Sequence, residues 1–338
     1  MNASGHDWVL VLAAGEGKRL RQLTKCADGA SVPKQYCSLQ GGPSLLEEAL
    51  RRAASVADSV HVSLIVADQH RRWWQPTRPW RAHQLIVQPH NRGTANGILL
   101  QLLQIMRVDP DANVMLLPSD HFIADESTLI TAMRSAFTAL RAAPGQIVLL
   151  GMEPSFPDPE LGYIAPGRNS AQGTFAVADF VEKPSVQKAR ELIASGALWS
   201  TFILAAHAAS LLELFERHYP HVVSAMRQAL AAEQEAATRL ASLYETLPDL
   251  DFSRDVLARA NRQRLRVLPV ARCGWSDLGT PEHVAQALAQ PTPARETGRS
   301  AAAREAPVNL ASVLRVTTPM RQPAVAESGK MPVLHGVY

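Results

Sequence analysis

The segment LAAGEGKRL, residues 12–20, is the first place in this chain where residue types and spacing could do chemistry. An apolar run leads into Gly15 and Gly17, and two cations, Lys18 and Arg19, follow. Glycines let backbone N–H groups approach phosphate oxygens with no Cβ in the way, and the cations neutralise polyphosphate charge. The same glycines would also serve an ordinary tight strand-to-helix turn, so the loop alone leaves both readings open. It is neither a Walker-type loop nor a complete GxGxxG fingerprint, so adenylate-kinase and dinucleotide chemistry fit poorly. Further on, Pro33 restrains the backbone ahead of Lys34 and limits where that amine can point, which would set one fixed cation near the phosphates.

Other chemistry-bearing residues are ambiguous when taken singly. Asp120 follows the apolar run NVMLLP, and Asp277 lies in GWSDLGT just before Pro281. Each suits a hard-cation ligand, and equally an Asx turn or a helix cap. Glu182 and Lys183 end the hydrophobic run Phe175–Val181 ahead of Pro184, which puts the pair at a strand end facing a cleft; a solvated surface pair is the plainer alternative. Thr94 could cap a helix. His121 has no second histidine at metal-ligand spacing, and Trp199 and Trp275 read as packing anchors.

The elements that must position these residues follow from the apolar pattern. Continuous runs at residues 9–14, 60–67, 84–89, 113–120 and 146–152 suit strands buried on both faces. Between them, SLLEEALRRAASV, TANGILLQLLQIMRV and DESTLITAMRSAFTALRAA repeat apolar residues at helical spacing. The alternation predicts an α/β fold with a mixed, mostly parallel sheet flanked by helices. After Gly151 a proline-punctuated loop and short strands near 161–165 and 175–182 suggest a lid-like insertion. A helix-rich stretch over 185–247, broken near 196–206, precedes RLRVLPV, a strand expected to rejoin the core. We therefore expect a catalytic domain over 7–289 with an insertion at about 151–247, and a low-order tail over 290–338.

Composition narrows the classes. With 34 basic and 31 acidic side chains, the net charge of +3 gives no nucleic-acid footprint. Three cysteines without a CxxC pair disfavour a disulfide framework and a structural zinc site. No run approaches the ~20 apolar residues of a membrane span, so a cytoplasmic protein without membrane contact is expected.

Read together, LAAGEGKRLRQLT, PKQY, SLLEEALRR, RGTANGI, PSDHFI, GYIAP, FVEKP and GWSDLGT resemble, in order and spacing, the mannose-1-phosphate guanylyltransferases, a branch of the sugar nucleotidylyltransferases, over residues 8–285. The resemblance implies a GT-A-like, Rossmann-related fold and attack of a sugar 1-phosphate on the α-phosphorus of an NTP, expelling pyrophosphate. By matched position, Asp120 and Asp277 would hold Mg2+. Arg19 would hold the pyrophosphate, Lys34 the α-phosphate and Lys183 the sugar phosphate. Thr94 and Ala95 would surround the base with the backbone of Leu12, Ala13 and Ala14, while Gly15 and Gly17 cradle the phosphates. Glu182 and Ser200 would hydrogen-bond the sugar, walled by Gly162 and Tyr163. The partners would be GTP and mannose 1-phosphate; self-association as a homodimer is left open.

The chain departs from that family at several points. Where the family has WNSG, this chain has Trp199, Ser200, Thr201 and Phe202, so a large ring stands in place of glycine. Pro159, Glu160 and Leu161 replace Thr-Gly-Tyr; Ala14, Lys18 and Gln22 replace Gly, Thr and Pro; and DFSRDV keeps Ser253 and Asp255 of a Ser-Ile-Asp-Tyr stretch. A degenerate nucleotide-sugar-binding regulatory subunit is the alternative that these changes suggest. A glycosyltransferase of the same fold fits less well. Asp109-Pro-Asp111 precedes its strand and Asp249-Leu-Asp251 follows a helix, so neither acid pair is placed at a strand's carboxyl end.

Overall fold

The apolar runs become strands β1 (Asp7–Ala13), β2 (Val62–Ala67), β3 (Gln84–Gln88), β4 (Asn113–Pro118) and β5 (Ile147–Met152). They are followed by β6 (Tyr163–Asn169), β7 (Phe175–Val181), β8 (Leu198–His207) and β9 (Leu265–Val270). These come from a computed structural model that describes residues 5–26, 28–76, 84–169, 171–290 and 309–310. Among the described residues the strands form one nine-stranded mixed sheet in the order β3-β2-β1-β4-β8-β5-β9-β7-β6. The β3-β2-β1-β4 half is parallel, as is the β5–β9 pair, whereas β8 runs antiparallel between β4 and β5.

The helices are α1 (Leu45–Ala54), α2 (Arg71–Trp74), α3 (Gly93–Val108), α4 (Glu126–Ala142), α5 (Val186–Ala194), α6 (Ala208–His218), α7 (Pro220–Ala231), α8 (Ala236–Thr246) and α9 (Pro281–Ala289). Their starts are written locally. Ser44 and Glu47 form a reciprocal capping box for α1, Asp125 caps α4, and Thr280 caps α9 with Pro281 in its first turn. Two apolar cores result, one on each sheet face. Leu46, Met133 and Phe137 belong to one; Ile98, Leu102 and Phe215 to the other. Burial at about 1.5–3 kcal/mol per large side chain makes these layers a rigid support for the loops at the strand ends.

Two features differ from the sequence reading. The break in the helical stretch is β8, a ten-residue strand in the middle of the sheet. The segment read as a lid-like insertion supplies β6 and β7, which continue the same sheet through β8 and β9. RLRVLPV does rejoin the core, as β9 beside β5. Of the expected tail, 291–308 and 311–338 lie outside the described residues; Leu310 is fully buried, and its N–H donates to the Ser38 carbonyl at 2.9 Å. No helix among the described residues is long and apolar enough to cross a membrane.

Candidate active site

The glycine loop leaves the carboxyl end of β1 and is closed from beneath by the turn that carries Lys34. Gln35 Nε2 donates to the carbonyls of Ala13 at 2.9 Å and Gly15 at 3.0 Å. Ser119 Oγ donates to the Leu12 carbonyl at 2.6 Å, tying the end of β4 to the end of β1. Gly17 has a φ of 59°, and a Cβ there would meet the backbone N and Cβ of Lys34 at 3.2 Å. Its missing side chain thus serves both the turn and the seating of Lys34.

A short two-strand contact unites the distant acids. Phe122 N–H donates to the Ser276 carbonyl at 2.9 Å, and Ser276 N–H returns a bond to the Phe122 carbonyl at 3.0 Å. Asp120 and Asp277 are thereby brought to one place, with the buried Lys34 between them: its Nζ is 2.9 Å from Asp120 Oδ2 and donates to the Asp277 main-chain carbonyl. Arg19 reaches in from the glycine loop, with Nη2 3.9 Å from Asp277 Oδ2 and Nη1 2.9 Å from Glu160 Oε2. The other Asp277 oxygen, Oδ1, accepts from Gly279 N–H at 2.9 Å and faces His283 Nδ1 at 2.9 Å. His283 Nε2 is 3.1 Å from Oδ2 of the buried Asp158.

These contacts set the charges. Burial alone would raise the Asp120 carboxyl, but the charge and hydrogen bond of Lys34 outweigh it and hold the group below its ordinary range. Burial likewise opposes ionisation of Asp277, yet its bond with His283 and the nearby Lys34 keep it well below the usual carboxylate range. The carboxylates of Asp158 and Asp277 at its two ring nitrogens raise His283 to about 9, whereas burial pushes His121 down to about 4 and leaves it neutral. His121 Nδ1 then accepts from Trp275 Nε1 at 3.2 Å. Among the described residues no group of three or more His, Cys, Asp or Glu side chains surrounds a common point, so a cation here would be shared between two carboxylates and its substrate.

In a second cluster, Gly162, Glu182 and Ser200 meet. Ser200 N–H donates to the Gly162 carbonyl at 2.8 Å, and a Cβ on Gly162 would lie 2.7 Å from Glu182 Oε2 and 3.3 Å from Ser200 Cβ. Burial, reinforced by the negative charge of Asp251, raises Glu182 to about 7. Lys183, beside it, is exposed and has a φ of 47°. Ser200 opens a bulge in β8: Gly151 pairs with Ser200 and Leu149 with Leu204. Within the bulge Phe202 has a φ of 62°, the left-handed conformation that glycine takes most easily, and its ring centre is 5.8 Å from that of Phe252.

Some of the expected binding residues sit less openly. The Tyr163 ring is fully buried and its hydroxyl bonds both the N–H and the carbonyl of Asp158, so it braces the wall from behind rather than forming its face. Ala95 is fully buried, and its N–H donates to the Leu250 carbonyl at 3.0 Å. The Thr94 hydroxyl accepts from Phe252 N–H at 2.8 Å, which clamps the start of α3 against residues 250–252. Leu12 and Ala13 lie within the paired part of β1 and have their carbonyls engaged within the fold, so the loop proper begins at Ala14.

The family model described as nucleotidyl transferase matches residues 8–292. The chain belongs to the nucleotidyl transferase family. Among curated relatives, mannose-1-phosphate guanylyltransferase of Escherichia coli is 29% identical over 299 residues, covering 80% of this chain and 57% of that protein. The alginate biosynthesis protein AlgA of Pseudomonas aeruginosa is 26% identical over 281 residues, covering 80% and 56%. The chain therefore spans little more than half the length of these relatives. A Thermus thermophilus structure described as a mannose-1-phosphate geranyltransferase is similar at a TM-score of 0.71 and 29% identity, covering 85% of this chain and 80% of that one.

For this nucleotidyl transferase, the motifs pointed to Arg19, Lys34, Asp120 and Asp277, which the fold brings together, but not to the residues that hold them. Gln35 stands in plain view within PKQY, and its amide closes the glycine loop. Glu160 stood out only as a departure from the family pattern, and Asp158 and His283 gave no signal, because their partners come from other elements. The nearest clue was the Thr280-Pro281 helix start, which sets His283 in the first turn of α9 and on the side of Asp277.

Proposed function

We propose that this chain transfers a nucleoside monophosphate from an NTP to a sugar 1-phosphate, with GTP and mannose 1-phosphate as the expected pair. The observation that carries the reading is the convergence of Lys34, Arg19, Asp120 and Asp277 at the mouth of the glycine loop. Backbone N–H groups at Gly15 and Gly17 cradle the phosphates. Lys34 holds the α-phosphate, Arg19 the departing pyrophosphate, and Lys183 the phosphate of the sugar. Leu12, Ala13, Ala14, Thr94 and Ala95 line the base side; Gly162, Glu182 and Ser200 bind the sugar, with Tyr163 behind them.

Mg2+ fits the two acids. Both are carboxylates held in the ionised form, Asp277 Oδ2 lies 3.9 Å from Arg19 on the cleft side, and hard oxygen donors suit this cation. When bound it supplies charge neutralisation and orientation of phosphate oxygens. The remaining steps belong to the chain. A sugar-phosphate oxygen attacks the α-phosphorus in line, a new P–O bond forms, and the bond to the bridging oxygen breaks to release pyrophosphate. The nucleophile is already anionic, so no side chain need act as base. Arg19 and Lys34 stabilise charge as it moves. We read residues 7–289 as the catalytic domain, with sugar-binding residues in 151–247, in a cytoplasmic setting.

A pyrophosphate-release assay across four NTPs and a panel of sugar 1-phosphates tests this reading, and absence of turnover with every pair in folded, Mg2+-supplied protein removes it. Phe202 and the Glu160–Arg19 pair favour a second reading, a nucleotide-sugar-binding regulatory subunit. Thermal stabilisation by nucleotide sugars without turnover would select it.

A further inference from the structure

His283 presents both ring nitrogens to carboxylates: Nδ1 is 2.9 Å from Asp277 Oδ1 and Nε2 is 3.1 Å from Asp158 Oδ2. The two acids belong to different parts of the site. Asp277 is read above as a metal ligand. Asp158 organises the loop that leads to the sugar side, since its Oδ1 accepts from Glu160 N–H at 2.8 Å and its backbone engages the Tyr163 hydroxyl at 2.8 and 3.1 Å. His283 is buried at the start of α9, and its main-chain N–H donates to the Thr280 hydroxyl at 3.3 Å, so the ring is mounted on a capped helix end. Phe156 lies alongside, with ring centres 5.7 Å apart.

This arrangement has a geometric consequence for Asp277. With Oδ1 taken by His283 and by Gly279 N–H, Oδ2 is the oxygen that faces Arg19 and the cleft. We propose that His283 is a positioning residue that fixes Asp277 as a one-oxygen metal ligand and ties that ligand to the sugar-side loop through Asp158. The inference rests on the reading of Asp277 as a metal ligand. It makes metal geometry and sugar-loop geometry two ends of one side chain, and each end can be cut separately.

The two amide side chains make that cut. His283→Asn places an amide donor near the position of Nδ1 and restores the contact to Asp277; His283→Gln places one near Nε2 and restores the contact to Asp158. Binding of Mn2+ alone to full-length protein, followed by electron paramagnetic resonance, reports the first contact, and the KM for the sugar 1-phosphate reports the second. Loss of a hydrogen-bonding partner behind a metal ligand weakens affinity by about 10-fold or more, which is the effect expected for His283→Ala. His283→Asn should recover most of the Mn2+ affinity while its sugar-phosphate KM stays raised. His283→Gln should show the reverse.

Unchanged or tighter Mn2+ binding in folded His283→Ala overturns the inference. So does parallel behaviour of the asparagine and glutamine variants that merely follows their melting temperatures, because a structural role alone would give that pattern. Asp277→Asn is the control on the underlying reading. If wild-type protein takes up no Mn2+, or Asp277→Asn takes it up unchanged, the metal assignment fails; if Asp277→Asn loses the metal and His283→Ala keeps it, only the positioning role fails.

Discussion

Gly279→Ala tests the metal-side geometry with a single methyl group. Gly279 is outside the left-handed region, so its backbone accepts alanine, yet a Cβ there would lie 2.4 Å from Asp277 Oδ2 and 3.1 Å from Arg19 Nη2. Carbon–oxygen contacts settle at about 3.3–3.6 Å, so the carboxylate oxygen must retreat by roughly 1 Å. It cannot do so freely, because Oδ1 is held by Gly279 N–H and His283, each at 2.9 Å. A displacement of about 1 Å at a reacting or charge-stabilising group costs on the order of 100-fold in rate, or about 2.7 kcal/mol in the barrier. The expected stability loss is smaller, about 1–2 kcal/mol for one or two weakened hydrogen bonds, and so a fall in Tm of only a few degrees. Pyrophosphate release should be measured at saturating substrates while Mg2+ is titrated, with Gly145→Ala as a control, since nothing lies within 4 Å of a Cβ there. A Gly279→Ala enzyme with kcat/KM within about threefold of wild type and the same Mg2+ dependence would refute the assignment of Asp277 Oδ2, because the geometry predicts a loss closer to 100-fold.

Three further outcomes follow from the same contacts. The Glu182 pKa is raised from 4.5 to about 7, so the folded protein keeps a proton that the unfolded chain releases; the associated stability is complete below pH 4.5 and is lost as pH rises through about 7. Glu182→Gln should remove that slope in pH-dependent melting, and the rise in sugar-phosphate KM expected of wild type below about pH 7 should be absent beyond the titration of the substrate phosphate. Phe202→Gly should be more stable than Phe202→Ala by about 1 kcal/mol in chemical denaturation, because both lose the ring but only glycine sheds the cost of φ 62°; equal stabilities would argue against backbone strain. Lys34→Met leaves Asp120 and Asp277 without their shared cation and should cost about 2 kcal/mol, discounted for the open side of Asp120. Its thermal stabilisation by Mg2+ should exceed that of wild type, and an equal shift would place the metal elsewhere.

The parts of the fold legible in the sequence are those whose signal is local. VLVLA and NVMLLP are continuous apolar runs because β1 and β4 are buried on both faces, and Ser44, Asp125 and Thr280 announce their helices by capping them. Strand β8 escaped because its Leu, Ala and Ile residues lie between two amphipathic helices and serve either period. Its strand character comes from β4 and β5 on either side, a tertiary effect.

The candidate site divides in the same way. The residues proposed to carry phosphate or metal chemistry stand in short motifs, because each sits at a strand end or tight turn that has its own local spelling. The residues that orient them do not. Asp158 meets His283 at 3.1 Å in a buried contact, and Glu160 meets Arg19 at 2.9 Å, only after β6 and α9 have been folded into place. Tyr163 shows the converse error: its motif position suggests a wall facing substrate, but its hydroxyl is needed by the Asp158 backbone and draws the ring inside.

The charges assembled at the cleft bear on the order of binding. Lys34, Arg19 and the imidazolium of His283 stand against Asp120, Asp277, Asp158 and Glu160, so the cluster has one negative charge in excess before any substrate arrives. On the proposed function, a free nucleoside triphosphate approaching it would meet net repulsion, and Lys34 and Arg19 already face carboxylates. A divalent cation held by Asp120 and Asp277, as proposed above, would add two positive charges to the cluster and turn the excess positive. The contacts hold the buried Lys34 in a fixed place while Arg19 stays half-exposed, and on the proposed function a nucleoside triphosphate should bind more tightly with the divalent cation than without it.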